Sequence, residues 1–220
     1  MKLKLLIILL LLFSLGQNLV AQTIEFSEAI GSETSEAGLF AKWHFELGSA
    51  KYEISSSGQA KKLSGNNFAA KFRLPLGKNE IVSSRVYFTQ YKRDLVLLYE
   101  ANVAGEGIGY IASFSLPAMK LKWKAIVRGF NVGQGLVENQ FAYLTAIGFA
   151  GKINLLTGKY IWKHDDLYSW NKNNGAFNSF EIPELEGSNV IFTEKTVYNK
   201  TNIMVVNKTT GKIIRTILEK

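Results

Sequence analysis

From Leu39 onward the chain alternates apolar and polar positions in short runs. Leu39, Ala41, Trp43, Phe45 and Leu47 interleave with Phe40, Lys42, His44 and Glu46, which is the two-residue period of a half-buried strand. Similar runs follow at 52–55, 68–76, 85–91, 95–101, 108–114 and 121–126. Later ones cover 136–146 with a break, 148–156, 159–163, 189–194, 203–207 and 212–218. Turn formers separate them: Ser57-Gly58, Gly65-Asn66-Asn67, Lys92-Arg93-Asp94 and Gly105-Glu106-Gly107. No segment after residue 21 sustains a helical period, and no Pro-rich or Ser-rich linker divides the chain. Residues 39–220 therefore read as a single all-β domain.

One unit recurs within this pattern. Leu155-Leu156-Thr157-Gly158-Lys159-Tyr160-Ile161-Trp162-Lys163 has weaker copies at 116–124 and 207–215, and its weakest at 74–81. Each copy is a strand, a tight turn containing Gly or Pro, and a second strand with a large apolar residue or Trp, so the unit is a β-hairpin. Measured at Lys78, Lys120, Lys159 and Lys212, the spacings are 42, 39 and 53 residues. Four-stranded propeller blades recur at about 40, and the excess in the last interval maps to 164–180, a polar loop inserted between repeats. The pattern predicts a propeller-like array of antiparallel hairpin repeats, with room for about five blades of that length. A β-sandwich or an open β-meander is the alternative.

The segments Lys152-Ile153-Asn154-Leu155-Leu156-Thr157-Gly158-Lys159-Tyr160-Ile161-Trp162-Lys163 and Ile203-Met204-Val205-Val206-Asn207-Lys208-Thr209-Thr210-Gly211-Lys212-Ile213-Ile214-Arg215 resemble the blade signature of PQQ-type β-propeller repeats. Residues 111–124 are similar, but Pro117-Ala118-Met119 stands where Thr-Gly is expected. The resemblance implies that Trp123 and Trp162, at one repeat position, place a ring between adjacent blades. Quinoprotein dehydrogenases of this family have more blades, a calcium site and often a vicinal Cys pair, whereas this chain is short and has no Cys. What it implies is a short, non-enzymatic member acting as an exported scaffold, without cofactor.

Residues 1–21 carry Lys2 and Lys4, an apolar run from Leu5 to Phe13, and polar residues ahead of Val20-Ala21. The run is shorter than the roughly 20 residues of a membrane span and ends at a small residue suited to cleavage, as a signal peptide does. The expectation is an exported bacterial protein, periplasmic or secreted, with no transmembrane segment after leader cleavage. Residues 22–38, with Glu25, Glu28, Glu33 and Glu36 among small residues, read as a flexible lead-in. The formal net charge of +8 falls by two when Lys2 and Lys4 leave with the leader. The remaining excess is scattered, which argues against nucleic acid as a partner and suits an acidic envelope surface or polysaccharide. Without Cys there is neither a disulfide framework nor a Cys-ligated metal, and the core alone must supply stability.

Candidate chemistry concentrates at the insertion. Tyr168, Trp170, Phe177 and Phe180 punctuate its Asn, Lys, Ser and Gly residues, and aromatic rings beside amides suit a sugar face or a protein partner. His164, Asp165 and Asp166, with Glu181, Glu184 or Glu186, form the alternative acidic cluster for a hard cation or acid–base work. Neighbouring strand residues point to opposite faces, which weakens that cluster, and His44 falls on the polar face of its strand. Gly105-Glu106-Gly107-Ile108-Gly109 precedes a strand rather than a helix, so it reads as a turn and not a phosphate loop; Gly133-Gln134-Gly135 is read likewise. No catalytic or metal residue is assigned. The functional expectation is an exported binding or scaffold protein whose partner is another envelope protein or a polysaccharide. The alternative is a small polysaccharide-active hydrolase or lyase using carboxylates near 165–181. A third reading is an incomplete ring that hides its edges by homo-oligomerisation.

Overall fold

A computed structural model describes residues 22–34, 40–103, 105–165, 167, 179–196 and 200–219. Strands β1 (Thr23–Glu25) and β2 (Ser27–Glu28) come first. Blade 1 is then β3 (Ile30–Thr34), β4 (Phe40–Leu47), β5 (Ala50–Ser55), β6 (Gln59–Ser64) and β7 (Lys71–Arg73). Blade 2 holds β8 (Ile81–Tyr91), β9 (Asp94–Val103), β10 (Glu106–Ser115) and β11 (Lys120–Val127). Blade 3 holds β12 (Leu136–Glu138), β13 (Phe141–Ala146), β14 (Phe149–Asn154) and β15 (Lys159–His164). Blade 4 holds β16 (Ser179–Phe180), β17 (Glu184–Glu186), β18 (Asn189–Lys195), β19 (Thr201–Asn207) and β20 (Ile213–Leu218). Every pairing is antiparallel, and β2 and β1 complete blades 2 and 3 as their fifth strands. The protein is all-β and propeller-like.

The last hairpin of blades 2, 3 and 4 is one local structure. Its turn needs a left-handed residue, filled by Met119 (φ 54), Gly158 (φ 68) and Gly211 (φ 73). The amides of these residues donate to the carbonyls of Ser115, Asn154 and Asn207 at 2.8, 2.8 and 2.9 Å. Asn154 Oδ1 accepts the amide of Leu156, and Asn207 Oδ1 those of Thr209 and Thr210, as short amide side chains do in turns. Met119 thus occupies the glycine position of the departing copy. Each hairpin then bulges, at Ser113/Phe114, Lys152/Ile153 and Val205/Val206. The bulge brings Trp123, Trp162 and Arg215 to one register position, opposite Ser113, Lys152 and Val205.

Three hydrophobic clusters fill the seams between successive blades. The first packs Trp43, Phe45 and Tyr52 of blade 1 on Val86, Leu97 and Tyr99 of blade 2, with Trp43 Nε1 donating to the Ser84 carbonyl at 2.8 Å. The second joins Val96, Leu98 and Ile111 of blade 2 to Val137, Leu144 and Ile153 of blade 3, with fully buried Phe26 among them. The third joins Tyr143, Ala150 and Trp162 of blade 3 to Val190, Phe192, Met204 and Val206 of blade 4. Among the described residues no such cluster joins blade 4 to blade 1, so these three seams follow one another in a row.

Several expectations change. The described part of the lead-in is strand rather than flexible: Phe26 alternates inward while Glu25, Ser27 and Glu28 stay exposed, and the strand edges of β8 and β12 supply its hydrogen-bond partners. The weakest repeat copy, 74–81, is the crossover into blade 2. The corresponding turn of blade 1 is instead at Ser55–Gly58, where Gly58 (φ 74) donates to the Ser55 carbonyl at 2.8 Å. Among the described residues four sheets stand where about five blades had room, because residues 64–80 and the 164–180 insertion lengthen the repeats. β6 had no apolar alternation to reveal it, since only Ala60 of its six residues is buried.

Candidate functional site

Where blades 3 and 4 meet, Trp162 reaches over the turn of the next blade. Its Nε1 donates to the Lys208 carbonyl at 3.0 Å, and its ring lies where a Cβ on Gly211 would be, 2.6 Å from that position. Trp123 repeats the arrangement one seam earlier, donating to the Leu155 carbonyl at 3.1 Å and lying 2.5 Å from the Cβ position of Gly158. Both glycines are thus required twice, by their φ and by the ring above them. Lys208, from the same turn, reaches back to Glu138 Oε1 at 2.7 Å while Tyr143 donates to Glu138 Oε2 at 2.7 Å. Burial alone would raise the Glu138 carboxyl, but these hydrogen bonds and the Lys208 and Lys152 charges hold it below its usual range. Burial, reinforced by that neighbouring carboxylate, raises the Tyr143 phenol.

The alternative acidic cluster does not assemble among the described residues. His164 Nε2 is 2.7 Å from the Gly211 carbonyl, and its ring packs 5.9 Å from that of Trp162. Asp165 pairs with Lys163 at 2.5 Å, and this ammonium holds its carboxyl below the usual range. Glu181 pairs with Lys195 at 3.5 Å. Each group has its own structural neighbour, and no group of three His, Cys, Asp or Glu among the described residues could hold a metal. Asp166 lies outside the described residues, as do Tyr168, Trp170 and Phe177. His44 is half-buried beside Ser32 Oγ at 2.7 Å, so its strand face is polar as expected.

Phe180 and Glu181 are described, and they line an open cleft of about 530 Å³ with Glu25, Gln134, Ile182, Pro183 and Glu184. Local structure places each wall. Gln134 stands in the loop joining blades 2 and 3, where its side-chain amide donates to the Phe26 carbonyl and the Phe26 amide donates to Gly135 O at 3.1 Å. Phe180 is fixed by pairing with Glu194, and its Cβ lies 2.7 Å from the position a Cβ on Gly133 would take. Pro183 is buried, while Glu25, Glu181 and Glu184 are exposed. The result is an aromatic wall beside three water-facing carboxylates. Glu25 and Gln134 were not singled out from the sequence, where one sits in an acidic stretch and the other in a glycine turn; only chain reversal by β1 brings them together.

No protein-family model matches the chain, and no curated protein sequence does. Among solved structures it is similar to a chain in the crystal structure of the mitotic checkpoint complex, at 10% identity, over 86% of this chain and 69% of that one, with a TM-score of 0.35. A likeness at that level carries no argument about this protein. Among the described residues no helix is long and apolar enough to cross a membrane.

Proposed function

We propose that this chain is an exported, propeller-like binding or scaffold protein of the bacterial envelope, related to the PQQ-type repeats and without catalysis of its own. The observation that carries the reading is the cleft at Phe180, the last residue of the aromatic-rich insertion. Its ring and buried Pro183 offer an apolar contact, and exposed Glu25, Glu181 and Glu184 offer acceptors for cationic or hydroxyl groups. A carboxyl is kept protonated for general-acid work by burial in apolar surroundings, whereas Glu25, Glu181 and Glu184 face water. The matched docking of Trp123 and Trp162 on Gly158 and Gly211 supports the kinship.

Binding of the exported chain to envelope protein and to cell-wall polysaccharide fractions tests the reading. Phe180→Ala and Trp170→Ala should each weaken the binding about tenfold or more while the β-rich circular dichroism stays unchanged. Polysaccharide cleavage by the wild type that disappears in Glu181→Gln would establish the hydrolase or lyase instead.

A further inference from the structure

Blade 4 turns one sheet face away from blade 3. Leu185, Val190, Met204 and Val206 pack toward blade 3, so their strand neighbours point outward. The register aligns these neighbours in rows: Glu184, Ile191, Val205 and Arg215 lie straight across the sheet. In the next row Ile203 stands between Thr193 and Ile217. A third row runs from Glu186 through Asn189 to Asn207, whose amide donates to the Lys212 carbonyl at 2.9 Å.

By repeat position this face is the one that blades 2 and 3 bury. The row of Ile191, Val205 and Arg215 matches Val96, Ser113 and Trp123 in blade 2, and Tyr143, Lys152 and Trp162 in blade 3. Those residues lie at seams covered by the following blade. In blade 4 none of the outward residues belongs to a core cluster; Ile217 is 40% exposed, Ile191 and Ile203 are half-buried, Val205 and Thr193 are buried among their neighbours, and Arg215 replaces the docking Trp. The opposite end of the row differs. The outward face of blade 1 carries Glu46–Lys51 and Glu53–Lys61 ion pairs at 2.9 and 3.4 Å and His44 beside Ser32, a polar cap of the kind that ends a repeat array.

The charges on the blade 4 face are segregated. Its β17 edge carries Glu184 and Glu186, and its β20 edge carries Lys212 and Arg215. Among the described residues Glu184 and Arg215 have no ion-pair partner. A two-fold axis parallel to the strands, passing between β18 and β19, sets each edge opposite the other edge of a second copy. It stacks Ile191 on Val205, Glu184 on Arg215 and Glu186 on Lys212, in both directions at once. We propose that the outward face of blade 4 is an isologous dimer interface with a second copy of this chain. Ile191, Val205 and Ile203 stand in its middle, and its acidic and basic edges fix the axis. The charged cap of blade 1 does not suit this apolar face, because docking there would desolvate ion pairs already made. Glu184 also lines the Phe180 cleft, so the dimer face and the cleft share this one residue.

Sedimentation velocity of the exported chain tests this with two reversed-edge variants. Lys212→Glu with Arg215→Glu makes both edges acidic, and Glu184→Lys with Glu186→Lys makes both basic. Wild type should be a dimer at micromolar concentration. Each variant alone should be a folded monomer, its self-affinity reduced about a hundredfold or more, and an equimolar mixture of the two should recover a heterodimer. A monomeric wild type at 100 µM overturns the proposal. So does a dimer indifferent to both variants, or a concentration-driven series of higher oligomers, which would indicate head-to-tail docking on blade 1.

Discussion

Glu138 and Glu100 are carboxylates inside the protein whose surroundings push them in opposite directions. At Glu138 burial is outweighed by Lys208 and Tyr143, so the folded carboxyl titrates below its unfolded value. Its stabilisation is therefore complete above the unfolded value of about 4.3 and is lost as pH falls through the folded value. Glu138→Gln should cost about 1.5–3 kcal/mol at pH 7, and the cost should shrink as pH falls below about 4.3, measured by urea unfolding. Glu100 is 6% exposed, and burial dominates its environment although the Asn131 amide donates to it at 2.6 Å. Its carboxyl titrates above the usual range. A raised carboxyl reverses the sign: the folded state holds the proton more tightly, so ionisation costs stability above the folded value and protonation relieves that cost as pH falls toward about 4.3. Glu100→Gln keeps an oxygen for the Asn131 amide and removes the buried charge, so stability at pH 7 should be unchanged or higher. A loss above about 1 kcal/mol there would show that the negative charge itself holds the loop.

At the scale of the element, the unit of construction is the hairpin together with the ring that lands on it. Trp162→Ala should cost about 3–5 kcal/mol and loosen blade 4 selectively, read as faster amide exchange in β18 and β19. Gly187→Ala and Gly211→Ala both place Ala at positive φ (55 and 73), yet a Cβ meets nothing within 4 Å at Gly187 and the Trp162 ring at Gly211. The first should cost about 1 kcal/mol and the second distinctly more, with any excess vanishing in the Trp162→Ala background. These hairpins were legible because local chemistry writes them: an Asn or Ser, a left-handed residue four positions on and, in blades 2 and 3, a Trp four positions further. Blade 1 was harder to read. Its turn is shorter, no Trp follows, and β6 shows neither apolar alternation nor a motif. The site was only half legible, since Phe180 and Glu181 stand out beside the insertion, whereas Glu25 and Gln134 reach the cleft through pairing between residues more than a hundred positions apart, as Ile24 with Val137 shows.

For the whole molecule, stability follows from nearest-neighbour seams rather than one central core, and the seam between blades 2 and 3 is tied by the lead-in. Phe26→Ala should cost about 3–5 kcal/mol and expose both middle blades together in amide exchange. If the lead-in served only as a tether, the loss would be under about 1 kcal/mol. The same strands carry a consequence for biogenesis. β1 and β2 leave the ribosome before their neighbours Leu136–Glu138 and Tyr87–Phe88 are made. Phe26 therefore passes through synthesis without its burial site, and its clasp closes only after the third blade has arrived. A chain halted halfway through synthesis would hold a strand still waiting for the middle of the protein, and that delay leaves the clasp open until the third blade is made.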